Sequence, residues 1–183
     1  MPRGASKTTI VNAINIWYIL YQDCKFPVFL SETGSHASRQ LTNVTTQLTT
    51  NGRILTVFGS VKPEQRQGLK WSESEGFIQT STGISVAALG RGAQVRGLNV
   101  NSVRPDRIIL DDIEDKESVQ TAEQRLKCKI WVYGDVKPAL SKFDLNATIV
   151  ALGTLLHNEA VMTTMMDDPE WTTVIFGVTD AKG

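Results

Sequence analysis

The sequence predicts an α/β fold in which a mostly parallel central sheet is flanked by helices, with a β-hairpin near residues 77–89. Three observations predict it. Segments of helical and of strand periodicity alternate along the chain, as in a sheet wound with crossover helices. Two apolar runs, Arg107 to Leu110 and Thr148 to Leu152, stop abruptly at acidic or small polar residues, as strands do at the ligand-binding edge of a parallel sheet. The length of 183 residues is enough for one such domain with a real core and short for two.

In chain order, Thr9 to Tyr21 carries Ile10, Ile14, Trp17 and Tyr21 at three- and four-residue steps, which predicts a helix burying that face on a sheet. Val28 to Leu30, after Pro27, reads as a short strand. Ser35 to Thr50 repeats Ala37, Leu41, Val44 and Leu48 at helical spacing and meets a natural stop at Asn51-Gly52. Ile54 to Phe58 has strand character. Lys62 to Ser74 is polar and weakly periodic, a surface excursion. Phe77 to Thr80 and Ile84 to Leu89, joined by Ser81-Thr82-Gly83, form the hairpin. Arg107 to Leu110 is a core strand, Thr121 to Ala139 a helix as far as Pro138, and Thr148 to Leu152 a buried strand rich in β-branched residues. Trp171 to Phe176 makes a last strand. No repeat or low-complexity tract interrupts the pattern.

Composition narrows the function classes. Nineteen basic residues balance nineteen acidic ones, so a nucleic-acid contact must come from a local surface and not from overall charge. Apolar runs such as Ile14 to Leu20 stop well short of a membrane span, and Arg3 and Lys7 are not followed by the apolar stretch of a secretory signal. Cys24 and Cys128 stand apart and only two histidines are present, which suggests neither a disulfide framework nor a zinc site. The chain reads as cytosolic with reduced thiols.

Three constellations carry chemistry. Pro2-Arg3-Gly4-Ala5-Ser6-Lys7-Thr8-Thr9 runs directly into the first helix, where backbone N–H groups can bind phosphate oxygens. In such a loop Lys7 would place a charge on the β/γ-phosphates of ATP, and Thr8 would ligate magnesium. Ser6 stands where the standard pattern has glycine, and taken alone the segment reads better as a solvated basic terminus than as a nucleotide site; the other two constellations change that. The second constellation is the apolar strand Arg107 to Leu110 emptying into Asp111, Asp112, Glu114 and Asp115. Phosphoryl transfer needs one carboxylate for the metal shell and another for the attacking water. Asp111 is the metal-shell residue; Asp112 is favoured for the water by adjacency, with Glu114 a competitor of longer reach. A solvated acidic loop is the plain alternative, and it leaves the apolar strand unexplained. The third is Gly153-Thr154 at the end of a strand, where the Thr154 hydroxyl could sense a γ-phosphate.

In this order the segments resemble the ATPase domain of phage terminase large subunits, over nearly the whole chain. The resemblance rests on Pro2, Arg3, Gly4, Lys7 and Thr8 in the loop, on Ser31-Glu32-Thr33, and on Gly153-Thr154 with His157. Its most specific part is the run Ala88 to Gly97, followed by Arg104-Pro105-Asp106 and then Asp111-Asp112-Ile113-Glu114-Asp115. It implies a RecA-like (ASCE-type) P-loop ATPase that uses ATP and Mg2+ to drive double-stranded viral DNA into a capsid. It also implies a homo-oligomeric ring on the portal protein, a terminase small subunit as partner, and the host cytoplasm as its location. Under it Arg3 touches the γ-phosphate, Gly4 to Thr9 cradle the nucleotide, and either Arg91 or Arg96 serves as an arginine finger. Residues 1–183 are then one ATPase domain, incomplete at its amino terminus and lacking the nuclease domain, so no nuclease activity is expected. Two other readings stay open: a catalytically silent remnant of the same fold, and a helicase-like P-loop ATPase.

Overall fold

The computed structural model describes residues 7–175. Helix α1 (Lys7–Leu20) leads into strand β1 (Pro27–Ser31), then helices α2 (Gly34–Thr50) and α3 (Gly52–Phe58). A single 3-10 turn at Gln65–Gln67 precedes strands β2 (Trp71–Ser72), β3 (Phe77–Gln79), β4 (Ser85–Gly90) and β5 (Arg107–Asp111). Helix α4 (Ala122–Trp131) runs through a π-turn at Val132–Val136 into the short helix α5 (Lys137–Ala139), and β6 (Thr148–Leu152) and α6 (Val161–Asp167) follow. The six strands form one sheet in the order β2-β3-β4-β1-β5-β6. The pairs β4–β1, β1–β5 and β5–β6 are parallel, whereas β3 runs antiparallel to β2 and β4. The mixed α/β architecture and the hairpin around residues 77–89 are therefore as the sequence pattern predicts.

Alternation along the central strands divides the core in two. Val28, Leu30, Ile108 and Leu110 pack on one face with Cys128, Trp131, Val132, Val136 and Val161. Phe29 and Ile109, one residue out of phase, pack on the other with Val11, Ile19, Ala37, Leu41, Val44 and Leu48. Helices α1 and α2 thus cover one side of the sheet, and α4 and α6 the other. The α2 stripe is the one its spacing predicts. Thr33 caps this helix by accepting from the His36 N–H at 3.2 Å. The cap brings α2 so close to the end of β4 that a Cβ on Gly90 would lie 2.5 Å from the Gly34 nitrogen, so only glycine fits there.

Three expectations are corrected. The face of α1 carrying Ile10, Ile14, Trp17 and Tyr21 does not bury on the sheet; Tyr21 is 56% exposed, and the buried positions are Val11, Asn15 and Ile19. Apolar residues stand on every side of α1 beyond Thr9, where only Asn12 and Asn15 are polar, so periodicity could not choose its face. Polar Asn15 does, because it is needed beneath the helix by Arg107, whose Nε donates to Asn15 Oδ1 at 2.8 Å. The outward aromatics stack among themselves, with Trp17 to Tyr21 at 5.0 Å and Tyr21 to Phe58 at 5.3 Å between ring centroids. Ile54 to Phe58 is helical, not a strand, since Asn51 both ends α2 and caps α3, its side chain accepting from the Arg53 and Ile54 N–H groups. Residues 171–175 form no strand; Phe176 lies outside the described residues. Within the polar stretch Lys62 to Ser74, Trp71–Ser72 adds a two-residue strand to the hairpin edge. Among the described residues no helix is long and apolar enough to cross a membrane.

Candidate functional site

Because β1, β5 and β6 are parallel and in register, Ser31, Asp111 and Leu152 finish side by side at one edge of the sheet. The amino end of α1 comes down on that edge. Lys7 donates from Nζ to Thr154 Oγ1 at 3.2 Å, and the same nitrogen lies 3.6 Å from Asp112 Oδ1. Thr8 Oγ1 donates to Asp111 Oδ2 at 2.8 Å. Three segments far apart in sequence, beginning at Lys7, Asp111 and Gly153, therefore meet within hydrogen-bonding range, and each contributes the residue type that its strand end or helix start foreshadowed.

The two adjacent aspartates stand in opposite environments. Asp111 is buried, at 5% exposure. Burial pushes its carboxyl above the ordinary range, an effect that the Thr8 hydroxyl bond opposes and the neighbouring Asp112 charge reinforces. Asp112 has a side chain 56% exposed, whereas that of Lys7 is only 9% exposed. Its N–H still donates to Leu152 O at 2.9 Å, yet its φ is +46°, a left-handed conformation that turns the chain sharply off the strand. One carboxylate is thus held inside the edge and the next is presented at its rim.

The other expected residues lie elsewhere. Both Glu114 oxygens accept N–H groups at the start of α6, from Val161 at 2.9 Å and Met162 at 3.3 Å, so Glu114 is engaged in capping a helix. Arg91 donates from Nη1 to Ile113 O at 2.9 Å and sits 3.6 Å from Asp115 Oδ1, bracing the acidic loop from behind. Arg96 is exposed and makes no ion pair among the described residues, and Thr9 is exposed. Arg3, Gly4, Ala5 and Ser6 lie outside the described residues. Of two further participants, Gln40 went unread in the sequence and Ser31 was read only as part of the Ser31-Glu32-Thr33 resemblance. Gln40, on α2, donates from Nε2 to Asp111 Oδ2, and Ser31 ends the strand beside Asp111. Gln40 had a signal: it is a polar residue on the stripe of Ala37, Leu41 and Val44.

No family model matches the chain, and no curated protein matches it. Among solved structures it is similar to a chain of "The Phi-28 gp11 DNA packaging Motor", at a TM-score of 0.41 and 14% identity, covering 82% of this chain. The match spans 44% of that chain.

What the edge can hold follows from its donor set. Among the described residues no group of three or more His, Cys, Asp or Glu side chains is placed to enclose a metal. Thr8 and Asp111 offer one hydroxyl and one carboxylate, and Asp111 Oδ1 is buried without a hydrogen-bond partner among the described residues. That sparse oxygen set suits Mg2+, which keeps most of its waters and takes further oxygens from a bound phosphate chain. A cavity of about 580 Å³ opens beside Lys7 and Thr154 along the outer edge of β6, with Ile10, Ile149, Met162 and Trp171 in its wall.

Proposed function

We propose that this chain is a RecA-like (ASCE-type) P-loop ATPase domain that hydrolyses Mg2+-bound ATP, and that it serves as the motor domain of a phage terminase large subunit. The observation that carries the ATPase reading is the meeting of Lys7, Thr8, Asp111, Asp112 and Thr154 at one sheet edge. The motor assignment rests on the resemblance of the Arg91 to Gly97 loop, the Arg104-Pro105-Asp106 turn and the Asp111 to Asp115 cluster to terminases.

In this mechanism the largely buried ammonium of Lys7 binds the β/γ-phosphates, exchanging its bond to Thr154 for phosphate oxygens. Thr8 and Asp111 would hold Mg2+, whose charge would screen that of the phosphates. Asp112, exposed at the rim, orients the attacking water and accepts its proton. Thr154, released from Lys7 by the nucleotide, reports occupancy of the γ-position through β6. Arg96 is the freer candidate for an arginine finger, since Arg91 is engaged with Ile113 and Asp115. Glu114 acts through α6, carrying the state of the acidic loop to the opposite face of the sheet.

The partners that go with this reading are double-stranded viral DNA, the portal and capsid, a small subunit, and further copies of the chain in a ring, in the host cytoplasm. Titration with ATP and Mg2+, followed by phosphate release, is the test. Saturable Mg2+-dependent binding with turnover supports the proposal. Binding without turnover identifies a silent remnant, and absence of binding ends the ATPase reading.

A further inference from the structure

At the carboxyl edge three buried polar atoms have no hydrogen-bond partner among the described residues: Ser31 Oγ, Gln40 Oε1 and Asp111 Oδ1. They belong together. Ser31 and Asp111 are register partners on neighbouring parallel strands, in phase with Phe29 and Ile109, and so share the face that α1 and α2 cover. Gln40 reaches the same place from α2 and is 8% exposed. A buried amide with one end unpaired weakens a fold, and a methionine or leucine would continue the stripe of Ala37, Leu41, Val44 and Leu48 at no such cost.

The geometry at Asp111 supplies a use for it. Gln40 Nε2 donates to Asp111 Oδ2, the oxygen that already accepts from the Thr8 hydroxyl. With two donors from two different helices, Oδ2 is committed and the plane of the carboxylate is fixed. Oδ1 is left with no donor and is the oxygen free to meet a cation. We infer that Gln40 is a positioning residue for the cation-binding carboxylate of Asp111, fixing Oδ2 so that Oδ1 is presented to the divalent metal. The inference rests on the Mg2+-dependent reading given above. Gln40 does not touch the reacting atoms; it acts through Asp111, and its own free Oε1 is an acceptor for a water the cation carries.

The test uses Mn2+ as the probe, with free Mn2+ followed by electron paramagnetic resonance during titration of the whole chain, with and without ATP. Gln40→Met keeps the volume and removes the donor. It is expected to weaken Mn2+ binding roughly tenfold, the usual cost of losing a group that orients a metal ligand. ATP affinity measured in chelator, without metal, is expected to stay at the wild-type value, and the melting temperature is expected not to fall. Should Gln40→Met not fold, Gln40→Asn retains the amide, withdraws it by one methylene and is expected to give the same loss.

If the wild type binds Mn2+ and the variant binds it within about twofold as well, the role of Gln40 is overturned while the ATPase reading stands. Parallel loss of Mn2+ binding, metal-free ATP binding and melting temperature overturns it too, in favour of a purely structural amide. A wild type that takes up no Mn2+ even with ATP ends both.

Discussion

The two ends of β5 use polar side chains in opposite ways. At the amino end, Asp106 accepts the N–H groups of Lys25 and Phe26. Beside it the buried Arg107 guanidinium donates to Asn15 and Thr148 and stacks 3.9 Å from the centre of the Tyr18 ring. Among the described residues, Asn15 Nδ2 alone is left over at this end. At the carboxyl end Asp111, Ser31 and Gln40 each keep a buried atom without a partner among the described residues. A saturated end ties β5 to α1, β1 and β6. An undersaturated end weakens the fold and leaves partners for a ligand to supply, which is where function is expected in a sheet of this kind.

Substitutions can break that contrast. The largest effect is expected from Lys7→Ala at the open end: ATP turnover falls by about 10²–10³-fold, the scale of losing one charge-stabilising donor, with the circular dichroism spectrum unchanged. Normal hydrolysis would remove Lys7 from the site. Arg107→Leu, at the saturated end, should cost about 1–3 kcal/mol by orphaning the buried Asn15 side chain, read as a lowered urea midpoint. Its expected effect is on stability, and a preserved stability would show that the amino end is not the anchor.

Asp111→Asn has the opposite sign. The folded protein holds this carboxyl above its ordinary range through burial, so ionisation opposes folding at neutral pH and removing the charge should raise the melting temperature while weakening Mn2+ binding. The advantage over wild type should be full above the raised folded value, shrink as pH falls through it, and vanish below the ordinary carboxylate range. An advantage independent of pH would mean that the carboxyl ionises alike in the folded and unfolded chains, so that burial does not disfavour its charge. The smallest effect is expected from Glu114→Ala. Loss of the acceptor at the start of α6 should cost about 0.5–2 kcal/mol, the usual value of a helix cap, with nucleotide binding retained. Lost hydrolysis with binding intact would instead restore Glu114 as the rival to Asp112.

What could be read in the sequence was whatever depended on neighbours along the chain. The stripe of α2, the hairpin, and the strand ends at Asp111 and Thr154 are local patterns, and parallel topology then draws those ends together. What failed depended on distant partners. The buried face of α1 is chosen by Arg107, 92 positions from Asn15. Helix α6 lacks a side-chain cap of its own because Glu114, 47 residues earlier, provides it, so no start signal stands at Ala160. Ile54 to Phe58 reads as a strand by its β-branched residues, and the Asn51 cap overrides that propensity. Gln40 stood in plain view as an amide on an apolar stripe, but its purpose lies on Asp111, a strand away.

The left-handed turn at Asp112 also limits which residues can occupy that position. Aspartate and asparagine enter the conformation at small cost because their short polar side chains satisfy nearby backbone groups, whereas alanine or glutamate carries the full steric penalty, on the order of 1–2 kcal/mol. A carboxylate on a longer stem is therefore no conservative replacement here, although it keeps the charge. Alanine scanning at this position would mix a backbone effect with a chemical one, and Asp112→Asn is the substitution that separates them.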